Sequence, residues 1–107
     1  IEKMNEPNFK LILDLYWLSY AGVNPAEYLR TKKVVTACVH LKDLRMKGSI
    51  HHFAEIGQGN INWDECLKAC EEADVLYALV EQDDCYGKDP FLCLKESRDF
   101  LVSKGYN

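Results

Sequence analysis

Val34-Val35-Thr36-Ala37-Cys38-Val39-His40-Leu41 is apolar except at Thr36 and His40, and it is rich in β-branched side chains. Such a run predicts a strand. It does not alternate polar with apolar, so both of its faces should be covered, which is the pattern of a parallel sheet. Upstream, Phe9-Lys10-Leu11-Ile12-Leu13-Asp14-Leu15 is a second short apolar run. Downstream, Val75-Leu76-Tyr77-Ala78-Leu79-Val80-Glu81 is a third. Helix starts lie between them. Asn24-Pro25-Ala26-Glu27 combines a capping Asn, a Pro at the first helical position and a Glu three residues after the cap. Asn62-Trp63-Asp64-Glu65 repeats the Asn-x-x-Glu pattern and opens a helix to about Ala73, with Leu67 and Cys70 on its inner side and Cys66 beside them. Asp89-Pro90 opens a last helix, which Gly105 ends. On that helix Phe91, Leu94 and Leu101 recur at helical spacing and should pack on the sheet. Lys42 to Ile61, interrupted by Gly48, Gly57 and Gly59, reads as a long loop.

The order is therefore β-α-β-loop-α-β-α. Crossover helices force parallel strands. Two architectures fit: an open doubly wound sheet, or part of a (β/α)8 barrel. A barrel takes roughly 250 residues, or about 31 per unit, so 107 residues correspond to three units and a short lead-in. Three parallel strands alone leave two open edges, which predicts either a segment of a larger barrel or pairing with another chain.

Composition narrows the function. With 13 Lys and Arg against 17 Asp and Glu, the net charge is −4, which argues against a nucleic-acid backbone as partner. No apolar run approaches the ~18 residues of a membrane span, and no signal peptide is visible. The five cysteines, Cys38, Cys66, Cys70, Cys85 and Cys93, form no C-x-x-C pair. Cys66 and Cys70, four apart on one helix face, read as small buried hydrophobes, and a reducing, cytoplasmic setting is the simplest.

Each expected strand ends in a residue foreign to an apolar run: Asp14, His40 and Glu81. In a parallel sheet all C-terminal strand ends share one rim, and ligands bind there. Two carboxylates and an imidazole suit a divalent cation: Mn²⁺, Mg²⁺, Co²⁺ or Zn²⁺. Plainer readings exist for each residue taken singly. Asp14 could serve a turn, His40 could be a satisfied core histidine, and Glu81 could begin the solvated acidic run 81–84. Lys42, just past the second strand, is a candidate to hold a substrate oxygen or phosphate, or else to form an outward salt bridge. Trp17 is a candidate wall for a sugar pocket, or else a cap on the core. Gly57-Gln58-Gly59 suggests turn chemistry more than phosphate binding, and His51-His52 an exposed loop.

The segments LDLYW…AGVNPAEYL, VVTACVHLKD, EIGQGNINW and ALVEQDDCYGKDPFLCLKESRDFL, in that order, resemble the last three βα units of the sugar phosphate isomerase/epimerase family, the xylose-isomerase-like barrels. The resemblance runs from about Phe9 to Leu101. It implies that residues 1–107 correspond to β6-α6-β7-α7-β8-α8 of a (β/α)8 barrel, the C-terminal segment of a longer domain. It further implies a divalent metal held by Glu, Asp, His and Glu on successive strands, with Asp14, His40 and Glu81 as the last three. The first Glu has no counterpart, since Glu2 and Glu6 fall before the first strand. Family epimerases often carry Asp-x-x-His where this chain has Asp14-x-x-Trp17, which leaves the substrate class open. The implied function is a metal-dependent isomerase or epimerase of a sugar, sugar phosphate or cyclitol. Glu81 would move a proton next to a metal-polarised carbonyl, Lys42 and Trp17 would contact the substrate, and the rest of the barrel or a second copy would be the partner. A lyase or dehydratase on the same scaffold, and a non-catalytic binding or assembly domain, are the alternatives. Metal-dependent phosphodiester cleavage ranks last.

Overall fold

A computed structural model describes residues 6–107. Glu2 lies outside the described residues. The elements run β1 (Leu11–Asp14), α1 (Leu15–Tyr20), α2 (Pro25–Thr31), β2 (Thr36–Leu41), β3 (Asp43–Lys47), β4 (Ile50–Ala54), α3 (Trp63–Glu72), β5 (Tyr77–Val80) and α4 (Pro90–Ser103). The apolar runs form one parallel sheet in the order β1-β2-β5. The expected helix starts are all present. Asn24 Oδ1 accepts from the Glu27 amide, Asn62 Oδ1 from Glu65, and Asp89 Oδ1 from Phe91. Gly105 follows α4 at φ +95°, the left-handed conformation that ends a helix without a Cβ clash.

One face of the sheet carries the core. Leu13, Val39 and Leu41 point into a cluster with Leu15, Leu29, Trp63 and Leu67. Fully burying an aliphatic side chain of this size contributes about 1.5–3 kcal/mol. α2 and α3 cover this face and are tied together by Arg30, which pairs with Glu65 at 3.0 Å and Glu72 at 2.6 Å. The other face is open over the described residues: Ile12 is 63%, Tyr77 66% and Leu79 51% exposed. The double coverage expected from the unbroken apolar runs is therefore supplied on one face only. No helix among the described residues is long and apolar enough to cross a membrane.

Further expectations change. The region 42–61 holds a β-hairpin, with β3 and β4 antiparallel and Gly48 at φ +62° in the turn. His51 and His52 sit half-buried on β4 instead of in an exposed loop. Leu15 belongs to α1 and not to the first strand, because Asp14 already caps that helix. On α4 Leu101 packs against the core as expected, with Phe100 beside it, but the fully buried residues are Cys93 and Ser97, while Phe91 is 81% and Leu94 40% exposed. Small side chains four apart let this helix come close enough for Ser97 Oγ to accept from the Ile56 amide at 3.1 Å. Cys66 and Cys93 are buried and Cys70 half-buried, and burial pushes their thiols up to about 12, 12 and 11, far from a reactive thiolate.

Asp43 is fully buried. Its carboxylate accepts from the amides of Leu44, Gly57, Gly59 and Ile61 and from Trp63 Nε1. The amides of the Gly57-Gln58-Gly59 loop are thus already taken, which confirms turn chemistry there. A Cβ on Gly59 would fall 2.4 Å from both Asp43 Oδ1 and the Leu44 carbonyl, so only glycine fits. A second tie is Lys88, bonded to Glu55 beyond β4 and to Glu96 on α4. Burial opposes ionisation of Glu55, but the Lys88 hydrogen bond outweighs it, and Lys88 with Gln58 also holds Glu96 below the usual range.

Two outcomes follow for stability. Asp43→Asn puts an amide group where donors converge and should cost about 2–4 kcal/mol in urea unfolding; a loss within error of zero would contradict the hub. Glu55 and Glu96 have depressed folded-state pKa values, so their stabilisation is present above the ordinary Glu range and lost as pH falls through the lower folded values. Stability should therefore drop as pH falls below about 4.3, and Lys88→Met should flatten that limb. An unchanged slope in the variant would remove the Lys88 tie.

Candidate metal centre

The register places the strand ends together. Asp14 on β1 pairs with His40 on β2, and His40 with Leu79 on β5. Side chains alternate along a strand, so Glu81, two residues past Leu79, returns to the face that carries Asp14 and His40. Its amide donates to the Leu41 carbonyl at 3.0 Å, which extends the ladder and fixes its backbone. One ligand atom from each of Asp14, His40 and Glu81 lies within 4.8 Å of the others. His40 Nδ1 is 3.2 Å from Glu81 Oε2 and 3.7 Å from Asp14 Oδ2.

Asp14 divides its two oxygens. Oδ1 accepts from the Trp17 amide at 3.1 Å and caps α1. Oδ2 faces the cluster. The turn reading and the ligand reading of this residue are therefore both satisfied, one per oxygen.

Lys42 enters the same centre. It is 1% exposed, and its ammonium lies 3.1 Å from Asp14 Oδ2, 3.1 Å from Glu81 Oε2 and 2.7 Å from Asp83 Oδ2. The rings of Tyr16, Trp17 and Phe53 stand 5.6, 5.7 and 5.4 Å from the same nitrogen. Burial disfavours the charged form, yet hydrogen bonds to Asp83, Asp14 and Glu81 more than offset this and raise the pKa above the usual lysine value. Trp17 is 46% exposed on α1, beside the centre.

Sequence reasoning passed over Asp83, Tyr16 and Phe53. Asp83 was hidden in the acidic run 81–84, which reads as solvated. Phe53 was hidden in the supposed loop; the hairpin carries it over the centre, where its ring centroid is 4.6 Å from that of Tyr16. The Tyr16 hydroxyl meets His51 Nδ1 at 2.8 Å. Glu6 lies ahead of β1, at the opposite end of the strand, where it bonds the Asn8 amide. No fourth ligand to the cluster occurs among the described residues.

The donor set fits a divalent ion on two counts. Two carboxylates and an imidazole are ligands that such ions take. The formal charges also match: Asp14, Glu81 and Asp83 contribute −3 and Lys42 +1, a sum of −2.

No protein-family model matches the sequence, and no curated protein matches it significantly. Solved structures do match. Two structures of sugar phosphate isomerase/epimerase from Parabacteroides distasonis ATCC 8503 superpose with TM-scores of 0.69 and 0.70 at 24% and 21% identity. They cover 86% and 87% of this chain and 30% of each of those chains. A xylose isomerase domain protein from Planctomyces limnophilus superposes with a TM-score of 0.67 at 20% identity, covering 98% of this chain and 38% of that one. The chain thus spans about a third of the length of the structures it matches. The likeness is one of fold: a parallel α/β arrangement that matches part of a xylose-isomerase-like barrel, not a separate doubly wound sheet.

The divided Asp14 is open to test. Asn caps a helix as well as Asp does, so Asp14→Asn should lose only the charge contacts, whereas Asp14→Ala also loses the cap and should cost about 1 kcal/mol more in chemical unfolding. Equal losses would show that Oδ1 does not cap α1.

Proposed function

We propose that this chain supplies the late-strand part of the active site of a divalent-metal-dependent isomerase or epimerase acting on a sugar, sugar phosphate or cyclitol. The observation that supports this most is the convergence of Asp14, His40 and Glu81 at one end of three parallel strands, with a residual charge of −2. These three residues would hold the ion, Mn²⁺, Mg²⁺, Co²⁺ or Zn²⁺. Bound there, it would supply Lewis-acid polarisation of a substrate carbonyl.

The remaining steps belong to the chain. Glu81, on the cluster face, takes the proton from the carbon beside the carbonyl and returns it to the neighbouring or opposite position. Lys42 stays charged throughout the working pH range, because its pKa is raised. It therefore acts as a fixed positive charge for the oxygen where negative charge grows, and not as a proton donor. Trp17, half exposed at the rim, walls the sugar ring. A lyase or dehydratase would use the same first proton transfer. The open face with Ile12, Tyr77 and Leu79 would be covered by the remaining barrel units, or by a second copy, in a cytoplasmic protein.

That open face also favours a second reading, a metal-binding or assembly segment without catalysis. Calorimetric titration with Mn²⁺ and solvent-deuterium exchange tell the two apart. One ion should bind, and Asp14→Asn, His40→Gln and Glu81→Gln should each weaken it at least about tenfold, as loss of a direct ligand does. Exchange at the carbon beside the carbonyl of a bound ketose should be lost in Glu81→Gln. Binding without exchange for any substrate of the three classes would support the non-catalytic reading, and no binding would end every metal-dependent reading and leave assembly alone.

A further inference from the structure

We propose that Lys42 is a built-in counter-cation that releases Asp14 and Glu81 to the metal ion, and that Asp83 is the positioning residue that keeps Lys42 in place when it does so. This inference rests on the metal reading above. Two of the oxygens nearest the Lys42 ammonium, Asp14 Oδ2 and Glu81 Oε2, belong to residues of the candidate ligand set, and both are 3.1 Å away. The third and closest, Asp83 Oδ2 at 2.7 Å, belongs to a residue outside that set. Lys42 and an entering ion therefore compete for two carboxylates, while Asp83 stays with Lys42 alone.

The surroundings limit where Lys42 can go. Its side chain is 2% exposed, and the rings of Tyr16, Trp17 and Phe53 stand within 5.7 Å of the ammonium. A buried ammonium without an anionic partner is costly, so the side chain cannot simply give up its carboxylates. Asp83 removes the difficulty: one full ion pair remains after the other two are surrendered. Before an ion arrives, Lys42 holds the carboxylates of Asp14 and Glu81 together against their mutual repulsion. Afterwards two positive species share three carboxylates and the centre is neutral.

A double-mutant cycle read by Mn²⁺ calorimetry tests this. Lys42→Met removes the competitor and should tighten Mn²⁺ binding about tenfold. Asp83→Asn leaves Lys42 dependent on Asp14 and Glu81 and should weaken binding by a similar factor. In the Lys42→Met background, Asp83→Asn should change affinity less than about threefold, since the coupling runs through the lysine. Asp83→Glu should restore binding to near the wild-type value. If Lys42→Met fails to fold, the contrast between Asp83→Asn and Asp83→Glu in the unaltered background decides the matter, and equal affinities there overturn the proposal. An equal effect of Asp83→Asn with and without Lys42 also overturns it while leaving the metal reading intact. Absence of Mn²⁺ binding in the unaltered chain would instead remove the metal reading on which it stands.

Discussion

An ammonium group almost without water sits at the C-terminal end of the parallel sheet, and three carboxylates close on it. Each carboxylate comes from a different place in the chain: the end of β1, the residue after β5, and the acidic loop beyond it. Electrostatics therefore does here what hydrogen bonding does within the sheet, joining segments far apart in sequence. The pairing is mutual. Without Lys42, Asp14 and Glu81 would repel across a short gap; without them, Lys42 would be an uncompensated buried charge.

The neighbouring residue performs the complementary task. Asp43 turns away from the rim and organises the backbone of the loop that leads into α3. Successive residues of a chain leaving a strand point to opposite sides. Lys42 and Asp43 thus place one cation in the candidate site and one anion under the loop that supports it. Gly59 is small because that anion lies against it. The hairpin of β3 and β4 starts at the same residue and carries Phe53 and His51 back over α1, so the aromatic wall of the centre depends on the loop that Asp43 fixes.

Much of this was legible in the residues. The three apolar runs mark the strands, and the Asn-x-x-Glu pairs mark helix starts, because both signals are local. The shared rim of Asp14, His40 and Glu81 also follows locally, since parallel strands align their ends. What could not be read depends on distant partners. Lysine is ordinarily exposed, and nothing near Lys42 announces that acids from two other segments will surround it. The hairpin escaped because His51-His52 and Arg45 interrupt its apolar alternation. The inward face of α4 was legible only in part: Leu101 packs on the core as its spacing suggests, but apolar residues lie all round that helix and its fully buried positions are the small Cys93 and Ser97. The open face carrying Ile12, Tyr77 and Leu79 explains the full apolar length of the strands only if something further covers it.

The account stands on three strand ends that share one cation, and anomalous diffraction from crystals grown with Zn²⁺ tests it most directly. It predicts a single strong peak about 2.0–2.2 Å from a carboxylate oxygen of Asp14, a ring nitrogen of His40 and a carboxylate oxygen of Glu81, with the Lys42 ammonium still against Asp83. A peak elsewhere on the chain, or full density for Lys42 bridging Asp14 and Glu81 with no metal between them at saturating Zn²⁺, would contradict it.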